Sequence, residues 1–495
     1  MFMVTVLHVL ALYGHTDIVC NLLELPLPRH GLATNNGRGN IALHEAARVG
    51  SVEIAEAMVH KEEGLVTTHI TKCAELSALS NGVGLQHFAS LRRLYICHCK
   101  NLKKLPQGIH NLMFLEKLKI TCSGLESFPE MGLPSVLRHL EIKECENLKS
   151  LPEGIIHNNT FLKFLDILNC DSLTSFPRGG LPTSLEHLSI ADCSSLKSLP
   201  EGMQNNSSLK KLGVYKVPSL TSFSRGGLPI SLEYLYIEDC SNLESLPEGM
   251  QNNTSLKDLR IKACHSLTSF ARGRLPTSLE YLCINGCSSL QSLPEGMHNN
   301  TSLKEMKIQG CHSLTSFPRE LWLPTATLKC LEIKDCKNLK SLPEGLHNLK
   351  YLDDLIINGC PLLTSFPEGG QPTTLKRFEI TDCCKFESLL GLHNFTSLDC
   401  LKIEMCPALV SFPAEGDHEY WKHVAAKSNL KVMGINVFFE ECRGHEFCLL
   451  RWNTNVNMSI ANYRSILWEF SSQATLQALR DETMNESRDR IEIVQ

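Results

Sequence analysis

The cysteines are the residues in this sequence with the clearest chemical potential, and there are 22 of them in 495 residues. Thiols form disulfides in oxidising compartments, and they bind zinc where four ligands lie at compact spacings. Twelve of these cysteines instead share one place in a repeated pattern: Cys99, Cys145, Cys170, Cys193, Cys240, Cys264, Cys287, Cys311, Cys336, Cys360, Cys383 and Cys406. Val217 takes that place in the sixth copy. We therefore predict that this position of the repeat is small, buried and apolar, and that its cysteines are reduced thiols.

A second group of potential ligands lies near the C-terminus, where Cys442, His445 and Cys448 follow one another at intervals of three residues. A zinc site needs four ligands, and no fourth cysteine or histidine lies nearby, so the sequence predicts no metal centre. Histidines such as His139 and His187 have no nucleophile at a defined spacing. We predict that the chain is not an enzyme and that it holds no cofactor.

The elements that carry these cysteines are copies of one pattern, Leu-x-x-Leu-x-Ile-x-x-Cys-x-x-Leu-x-Ser-(Leu/Phe)-Pro. Fourteen copies follow one another at spacings of 22 to 25 residues, and they begin at Leu91, Leu115, Leu137, Leu162, Leu185, Leu209, Leu232, Leu256, Leu279, Leu303, Leu328, Leu352, Leu375 and Leu398. A period of this length indicates a solenoid. The second Leu and the Ile share one face of a short strand, which we expect to point inward. Stacked copies would pair these strands into a curved parallel sheet.

One copy departs from this spacing. The second copy has one residue fewer than the others between Ile120 and Leu125. We expect this deletion to move Cys122 out of register and to cause a local kink or bulge.

The repeated pattern resembles the leucine-rich repeats of plant intracellular immune receptors, the nucleotide-binding leucine-rich-repeat family of the coiled-coil class. The resemblance covers roughly two thirds of the chain. It implies an α/β solenoid, the leucine-rich-repeat horseshoe, and recognition of a pathogen effector or a host protein on the concave sheet. The segment from Glu419 to Ala425, with Tyr420-Trp421, resembles the one that closes the repeat domain in that family.

The nucleotide-binding module of that family is missing from this sequence. No Gly-x-x-x-x-Gly-Lys-(Ser/Thr) loop, whose backbone amides and lysine would cradle phosphates, occurs in the chain. The resemblance therefore implies no nucleotide site and no nucleotide-driven switching here.

The N-terminal segment resembles an ankyrin repeat, whose signature is Thr-Pro-Leu-His-x-Ala with a downstream Gly-His. Thr5-Val6-Leu7-His8 and Gly14-His15 follow that signature except that Val6 replaces the proline, and a second copy begins at Ile41, which replaces the threonine. The resemblance implies a short α-helical segment ahead of the leucine-rich repeats. The sequence predicts five segments. Residues 1–60 form two ankyrin-like repeats, 61–86 a linker, 87–413 a leucine-rich-repeat array of about 14 repeats, 414–439 the terminal cover of the array, and 440–495 an unassigned, partly helical tail.

Charge and hydropathy limit the partners and the compartment. The net charge of −5 supplies no basic excess for binding a nucleic acid. No apolar run of about 18 residues suggests a membrane span. The apolar start, Met1 to Leu12, lacks the cationic region of a signal peptide. We therefore predict a cytoplasmic protein without a nucleic-acid or membrane partner.

The strand positions on either side of the inward Leu and Ile are the candidate site. Charges of opposite sign alternate there from copy to copy, and one interpretation is a solvated sheet stabilised by ~0.2 to 1 kcal/mol per cross-strand pair. The other interpretation is a protein-binding surface with aromatic hot spots. The residues predicted to bind a partner are Tyr215, Lys216, Tyr234, Tyr236, Glu238, Arg260, Lys262 and Tyr281.

Four Asn-Asn-(Thr/Ser) triplets are formal glycosylation sequons, and they begin at Asn158, Asn205, Asn252 and Asn299. Because each precedes a predicted strand at the same point of the repeat, we favour turn and cap residues over glycan acceptors. The predicted function is a protein-recognition scaffold of plant defence. The alternatives left open are a substrate adaptor of a ubiquitin ligase, an extracellular receptor fragment, and a truncated receptor without independent activity.

Overall fold

The computed structural model describes residues 2–23, 42, 46, 54, 67–71, 431–433 and 458–459, and residues 91–409 apart from 106, 130–131, 152–159, 178–179, 224–226, 271–273, 319–322, 325, 368–371 and 388–396. The chain forms two compact units, residues 1–276 and 277–495. The second ankyrin-like copy, the predicted linker, the terminal cover and the tail fall largely outside the described residues. Of the second ankyrin-like copy, Ala42, Ala46 and Ile54 are described, and all three are buried.

The first unit begins with two short helices, Phe2–Leu12 (α1) and Thr16–Leu23 (α2), that pack against each other. Gly14 separates them in a left-handed conformation at φ 71°, which glycine adopts without steric cost. Leu7, Ala11 and Val19 are fully buried.

Nine strands of the first unit pair in chain order into a parallel sheet. They are β1 (Thr67–Thr71), β2 (Arg93–Cys97), β3 (Lys117–Thr121), β4 (His139–Lys143), β5 (Phe164–Leu168), β6 (His187–Ala191), β7 (Lys211–Tyr215), β8 (Tyr234–Glu238) and β9 (Asp258–Lys262). The register is the same at each step, so equivalent repeat positions lie side by side. Short 3₁₀ helices occur at Gln107–Asn111, Met203–Asn205 and Met250–Asn252.

The second unit repeats this arrangement. Strands β10 to β16 pair in parallel and in chain order, and β17 pairs antiparallel with β16. They are β10 (Tyr281–Asn285), β11 (Glu305–Gln309), β12 (Cys330–Lys334), β13 (Asp354–Asn358), β14 (Arg377–Thr381), β15 (Cys400–Glu404), β16 (Lys431–Met433) and β17 (Met458–Ser459). The 3₁₀ helices here are Met297–Asn299 and Leu346–Asn348.

Side-chain burial follows the repeat as predicted. In β8, Leu235 and Ile237 are 0% and 1% exposed. Tyr234 and Tyr236, which alternate with them along the strand, lie on the other face. Each of the fourteen copies contributes one such strand, β2 to β15. This confirms the predicted solenoid of leucine-rich repeats with a parallel sheet and short helices at its N-terminal end. We call the face opposite the core the outer face.

A left-handed residue ends most strands and turns the chain towards the buried cysteine. Glu144 has φ 51° directly after β4, and Asn169, Asp192 and Asp239 follow β5, β6 and β8 in the same conformation. Asp and Asn tolerate this region better than most residues. The residue that follows each of them is the buried cysteine of the repeat, as Cys145 follows Glu144.

The prediction that Cys122 falls out of register is wrong. Cys122 is fully buried, and its carbonyl accepts the Leu125 N–H at 3.1 Å, as the Cys145 carbonyl accepts the Leu148 N–H at 3.1 Å. The deleted residue is the left-handed one, because β3 ends at Thr121 and Cys122 follows directly. The deletion instead draws the chain at Gly124 against the preceding coil, where a Cβ would lie 1.9 Å from the Lys100 carbonyl oxygen.

The Asn-Asn triplets at Asn205, Asn252 and Asn299 form the turns that lead into the next strand. The Asn253 side chain is buried, accepts from the Ser255 and Leu256 N–H groups at 2.8 and 2.6 Å, and donates to the Pro229 carbonyl at 2.6 Å. Asn206 makes the equivalent bonds one pair of copies earlier. The first asparagine of these two triplets, Asn205 or Asn252, is exposed.

Candidate protein-binding surface

Most of the predicted binding residues lie on the outer face of the first unit. Tyr215 ends β7, Tyr234, Tyr236 and Glu238 are the three outer positions of β8, and Arg260 and Lys262 lie on β9. Lys216 lies one residue beyond β7, at φ 51°, and so is not part of the strand. Tyr281 begins β10 in the second unit, where Lys307 Nζ lies 5.8 Å from its ring centre.

Tyr236 is the centre of this surface because charged groups surround its ring. Lys211 Nζ and Arg260 Cζ each lie 5.2 Å from the ring centre, within the range of a cation–π interaction. The Tyr236 hydroxyl donates to Asp258 Oδ2 at 3.4 Å. Asp258 also accepts from Arg260 Nε at 2.9 Å and Nη2 at 2.7 Å. We call Lys211, Tyr236, Asp258 and Arg260 the Tyr236 cluster.

Two more tyrosines extend the aromatic area beside this cluster. The ring of Tyr215 lies over Gly213, where a Cβ would meet Tyr215 Cε2 at 2.5 Å. Glycine at this position therefore gives the ring its place on the face. The Tyr234 and Tyr236 ring centres are 6.5 Å apart at an interplanar angle of 56°, and Tyr234 is 36% exposed.

Burial raises the pKa of the two central phenols further above neutral pH. Desolvation, with a smaller contribution from Asp258, raises the pKa of Tyr236. Desolvation, followed by the charge of Glu238, raises the pKa of Tyr215. The Tyr236 hydroxyl donates to Asp258, so this side chain offers a partner mainly its apolar ring face, as hot-spot tyrosines do.

The charges around the tyrosines are paired across strands. Lys262 Nζ lies 3.8 Å from Glu238, Lys216 Nζ lies 3.7 Å from Asp192, and Lys257 Nζ lies 2.8 Å from Glu233. These pairs are the cross-strand partners of the solvated-sheet interpretation, and exposed pairs of this kind are worth up to about 1 kcal/mol. The charged side chains are therefore partly occupied by ion pairs within the sheet, whereas the tyrosine rings present surface that a partner can contact.

A second aromatic group on the same face was missed in the sequence. The ring centres of His139 and Phe164 are 4.3 Å apart with planes 2° from parallel, and those of Phe164 and His187 are 4.7 Å apart with planes 14° from parallel. Desolvation is the main cause that lowers the pKa of both histidines. The positive charge of Lys117 lowers the pKa of His139 further, and that of Lys211 lowers the pKa of His187 further. The signal was available, because the three residues occupy the same position in three consecutive copies.

The cysteines of the repeat are too deeply buried to react with a substrate. Those of the described residues are free thiols, and each of the twelve repeat cysteines is at most 6% exposed. Desolvation raises the pKa of Cys240 to about 11 and of Cys311 to about 12. Several donate to the last strand carbonyl, as Cys145 Sγ does to Lys143 at 3.3 Å. These are the properties of small core residues.

Within the described part of the chain, no three His, Cys, Asp or Glu side chains are placed to hold a metal ion. Cys442, His445 and Cys448 lie outside that part. No described helix has the length and apolar character needed to cross a bilayer. What the described surface offers is an extended sheet face with aromatic and paired charged groups, and repeat solenoids use such faces for binding. The fold is that of a protein-interaction scaffold.

No family model matches the sequence, and no curated protein matches it significantly. Solved structures similar to the chain include YopM, a leucine-rich effector protein of Yersinia pestis (20% identity, 71% of this chain, 92% of that chain, TM-score 0.36). A leucine-rich-repeat protein of Leptospira interrogans is similar at 15% identity over 77% of this chain and 91% of that one, with a TM-score of 0.31. A plant peptide hormone receptor, RGFR1 in complex with RGF2, is similar at 17% identity over 74% of this chain and 79% of that one, with a TM-score of 0.23.

At these identities and TM-scores the similarities carry no argument about what this chain binds. Its assignment as a leucine-rich-repeat solenoid rests on its own repeats and strands.

Proposed function

We propose that this chain is a recognition scaffold of plant defence that binds a protein partner, a pathogen effector or a host protein, on the outer face of the first unit. The observation that supports this proposal most is the Tyr236 cluster with Tyr215 and Tyr234 beside it. Interface hot spots are rich in tyrosine and arginine. The plant-defence role rests on the resemblance of the repeat pattern, and the intracellular location rests on that resemblance and on the reduced thiols.

The structure favours a partner with its own apolar and hydrogen-bonding groups. Tyr234 is 36% exposed, so a partner would remove mainly ring surface from water, at roughly 25 cal/mol per Å² of apolar area. Arg260 and Lys211 are already held against Tyr236. Their rotamers are partly ordered before binding, which lowers the entropic cost of forming an interface.

The test is affinity capture of the tagged chain from the tissue that expresses it, with identification of the bound proteins by mass spectrometry. It is run beside a variant carrying Tyr215→Ala, Tyr234→Ala and Tyr236→Ala. Tyr351→Ala is the matched control, because Tyr351 is 58% exposed in the second unit and lies outside its strands. A partner kept by the parent and the control and lost by the triple variant supports the proposal. Capture of chaperones alone by all three chains contradicts it.

The extracellular alternative has one observation in its favour. Asn205 and Asn252 are exposed sequon asparagines, whereas the adjacent Asn206 and Asn253 are buried with their amides engaged. A secreted chain would therefore carry glycans at Asn205 or Asn252 and none at Asn206 or Asn253. Mass spectrometry of peptides from the natural protein decides between the compartments, since unmodified Asn205 and Asn252 favour the intracellular scaffold.

A further inference from the structure

The outer face of strands β2 to β4 in the first unit is strongly basic. Lys117, Lys119 and Lys143 converge there on a single carboxylate, that of Glu141. The distances from their Nζ atoms to Glu141 oxygens are 3.9, 3.5 and 2.5 Å. The Glu141 side chain is 15% exposed and those of Lys119 and Lys143 are each 31% exposed. We call these four residues the Glu141 cluster.

The cluster carries more positive than negative charge. One carboxylate faces three ammonium groups, and Arg93 lies next to Lys117 in the sheet register. Lys143, Lys119 and Lys117 together outweigh desolvation and lower the pKa of Glu141, so the carboxylate stays ionised and is fully engaged. The remaining positive charge has no carboxylate on β2 to β4 to neutralise it.

This excess is confined to β2–β4. On β5 to β9 the outer strand positions carry as many carboxylates as cations, namely Asp166, Glu238 and Asp258 with Lys211, Arg260 and Lys262. In the second unit a similar cluster surrounds Glu332, with Lys307 at 3.5 Å and Lys334 at 2.5 Å. Glu305 also lies 4.0 Å from Lys307 there, so the Glu332 cluster has two carboxylates for two lysines. The same repeat positions can therefore hold equal numbers of lysines and carboxylates, as around Glu332, whereas the Glu141 cluster has three lysines for one carboxylate.

We propose that the Glu141 cluster with Arg93 is a docking site for an acidic segment, rich in Asp or Glu, of a protein partner. Charge complementarity identifies this occupant, since carboxylates supplied by a partner would neutralise the excess ammonium groups through charge-assisted hydrogen bonds. Neighbouring strands lie about 4.8 Å apart. Three or four residues of an extended segment are therefore long enough to cross the three strands of the site. This site goes beyond the Tyr236 surface, because it lies on other strands and uses other chemistry.

A nucleic acid fits the same section less well. Nucleic acids are held by long rows of cations that displace counterions from many phosphates, and the basic section ends at β5, where Asp166 is the next outer side chain in register with Glu141. Asp166 has no ion-pair partner in the described part of the chain. An acidic peptide can end before it reaches Asp166, whereas a phosphate backbone running along the face would meet that carboxylate.

The experiment is fluorescence anisotropy with a labelled eight-residue peptide of alternating Asp and Ser, and its Asn counterpart, titrated with the full chain. The test variant is Lys119→Gln with Lys143→Gln. Its matched control is Lys307→Gln with Lys334→Gln, which removes the equivalent lysines from the balanced Glu332 cluster. Thermal unfolding establishes that each variant is folded. Should the double variant fail to fold, Lys119→Gln alone is compared with Lys307→Gln alone.

We expect the parent to bind the Asp peptide and not the Asn peptide, with an affinity that falls as salt rises from about 0.02 to 0.15 M, because exposed charges are screened over about 10 Å. The test variant should bind at least about tenfold more weakly, and the control should stay within about twofold of the parent. No binding to the parent, or equal losses in test and control, overturns the proposal. So does a single-stranded oligonucleotide of equal charge that binds more tightly than the peptide and displaces it.

These outcomes do not depend on the Tyr236 surface. Tyr236→Ala should leave the affinity for the Asp peptide unchanged. A captured partner that is lost with the tyrosines, together with a parent that does not bind the peptide, would overturn the Glu141 docking site alone.

Discussion

The guanidinium of Arg260 lies 5.2 Å from the ring centre of Tyr236 on the neighbouring strand. Both side chains bond to Asp258, whose carboxylate accepts from Arg260 and from the Tyr236 hydroxyl. Asp258 is 9% exposed, and its bonds hold the other two side chains in place. The proposed binding surface is thus ordered by a carboxylate that a partner would scarcely touch.

Asp258→Asn should therefore weaken both the fold and the surface. The amide has one acceptor oxygen where the carboxylate has two, and it carries no charge for Arg260. We expect a loss of about 1 to 2 kcal/mol in the free energy of unfolding, measured by urea denaturation. The control is Glu233→Gln, whose pair with Lys257 is more exposed and should cost less than about 0.5 kcal/mol. Equal losses would show that Asp258 has no special role.

Gly124→Ala should be severely destabilising. A Cβ at this position would lie 1.9 Å from the Lys100 carbonyl oxygen and 2.8 Å from the Lys100 carbonyl carbon, and backbone atoms of a stacked coil cannot move away cheaply. We expect a loss above about 3 kcal/mol, seen as a fall of several degrees in the unfolding midpoint. Ser172→Ala is the control, because Ser172 precedes the buried Leu173 as Gly124 precedes Leu125. Equal midpoints for the two variants would contradict the close approach.

Asn253→Ala should cost about 2 to 4 kcal/mol in unfolding free energy. The substitution removes the acceptor of the Ser255 and Leu256 N–H groups and the donor to the Pro229 carbonyl, and each buried group left unsatisfied costs about 1 to 3 kcal/mol. Asn252→Ala, one residue earlier and exposed, should change stability by less than about 0.5 kcal/mol. Urea denaturation of both variants measures the difference, and similar values would argue against the buried asparagine as the support of the turn.

Cys240→Val should be tolerated at neutral pH and should be the more stable chain at alkaline pH. Val217 fills the same place one copy earlier, so we expect the two chains to agree within about 1 kcal/mol at pH 7. Desolvation is the main reason that the pKa of Cys240 is raised from 9.0 to about 11. The stability that the protonated thiol contributes is complete below pH 9 and is lost as pH rises towards 11.

The measurement is the urea midpoint of both chains between pH 7 and pH 10.5. The parent should lose stability relative to the valine variant by about 1.4 kcal/mol per pH unit above pH 9. A constant difference across this range would mean that the thiol ionises as easily in the folded as in the unfolded chain.

The sequence predicted the period, the inward Leu and Ile, and the buried cysteine, because these follow from strand geometry and from stacking, which every copy shares. It did not predict the place of Cys122, because the deleted residue could have come from the strand or from the turn, and only the backbone shows that the left-handed residue is missing. The His139–Phe164–His187 stack could have been found by aligning the copies. The convergence of three lysines on Glu141 could not, since it depends on the rotamers of long side chains on adjacent coils.

The affinity of the captured partner for the outer face of the first unit tests the proposed binding surface directly. The purified partner is titrated by calorimetry against the parent, the triple variant Tyr215→Ala, Tyr234→Ala and Tyr236→Ala, and the control Tyr351→Ala, with folding established by circular dichroism. We predict that the triple variant loses at least about 2 kcal/mol of binding free energy, roughly thirtyfold in Kd, while the control binds like the parent. A folded triple variant that binds the partner with the affinity of the parent would contradict a binding surface built on these tyrosines.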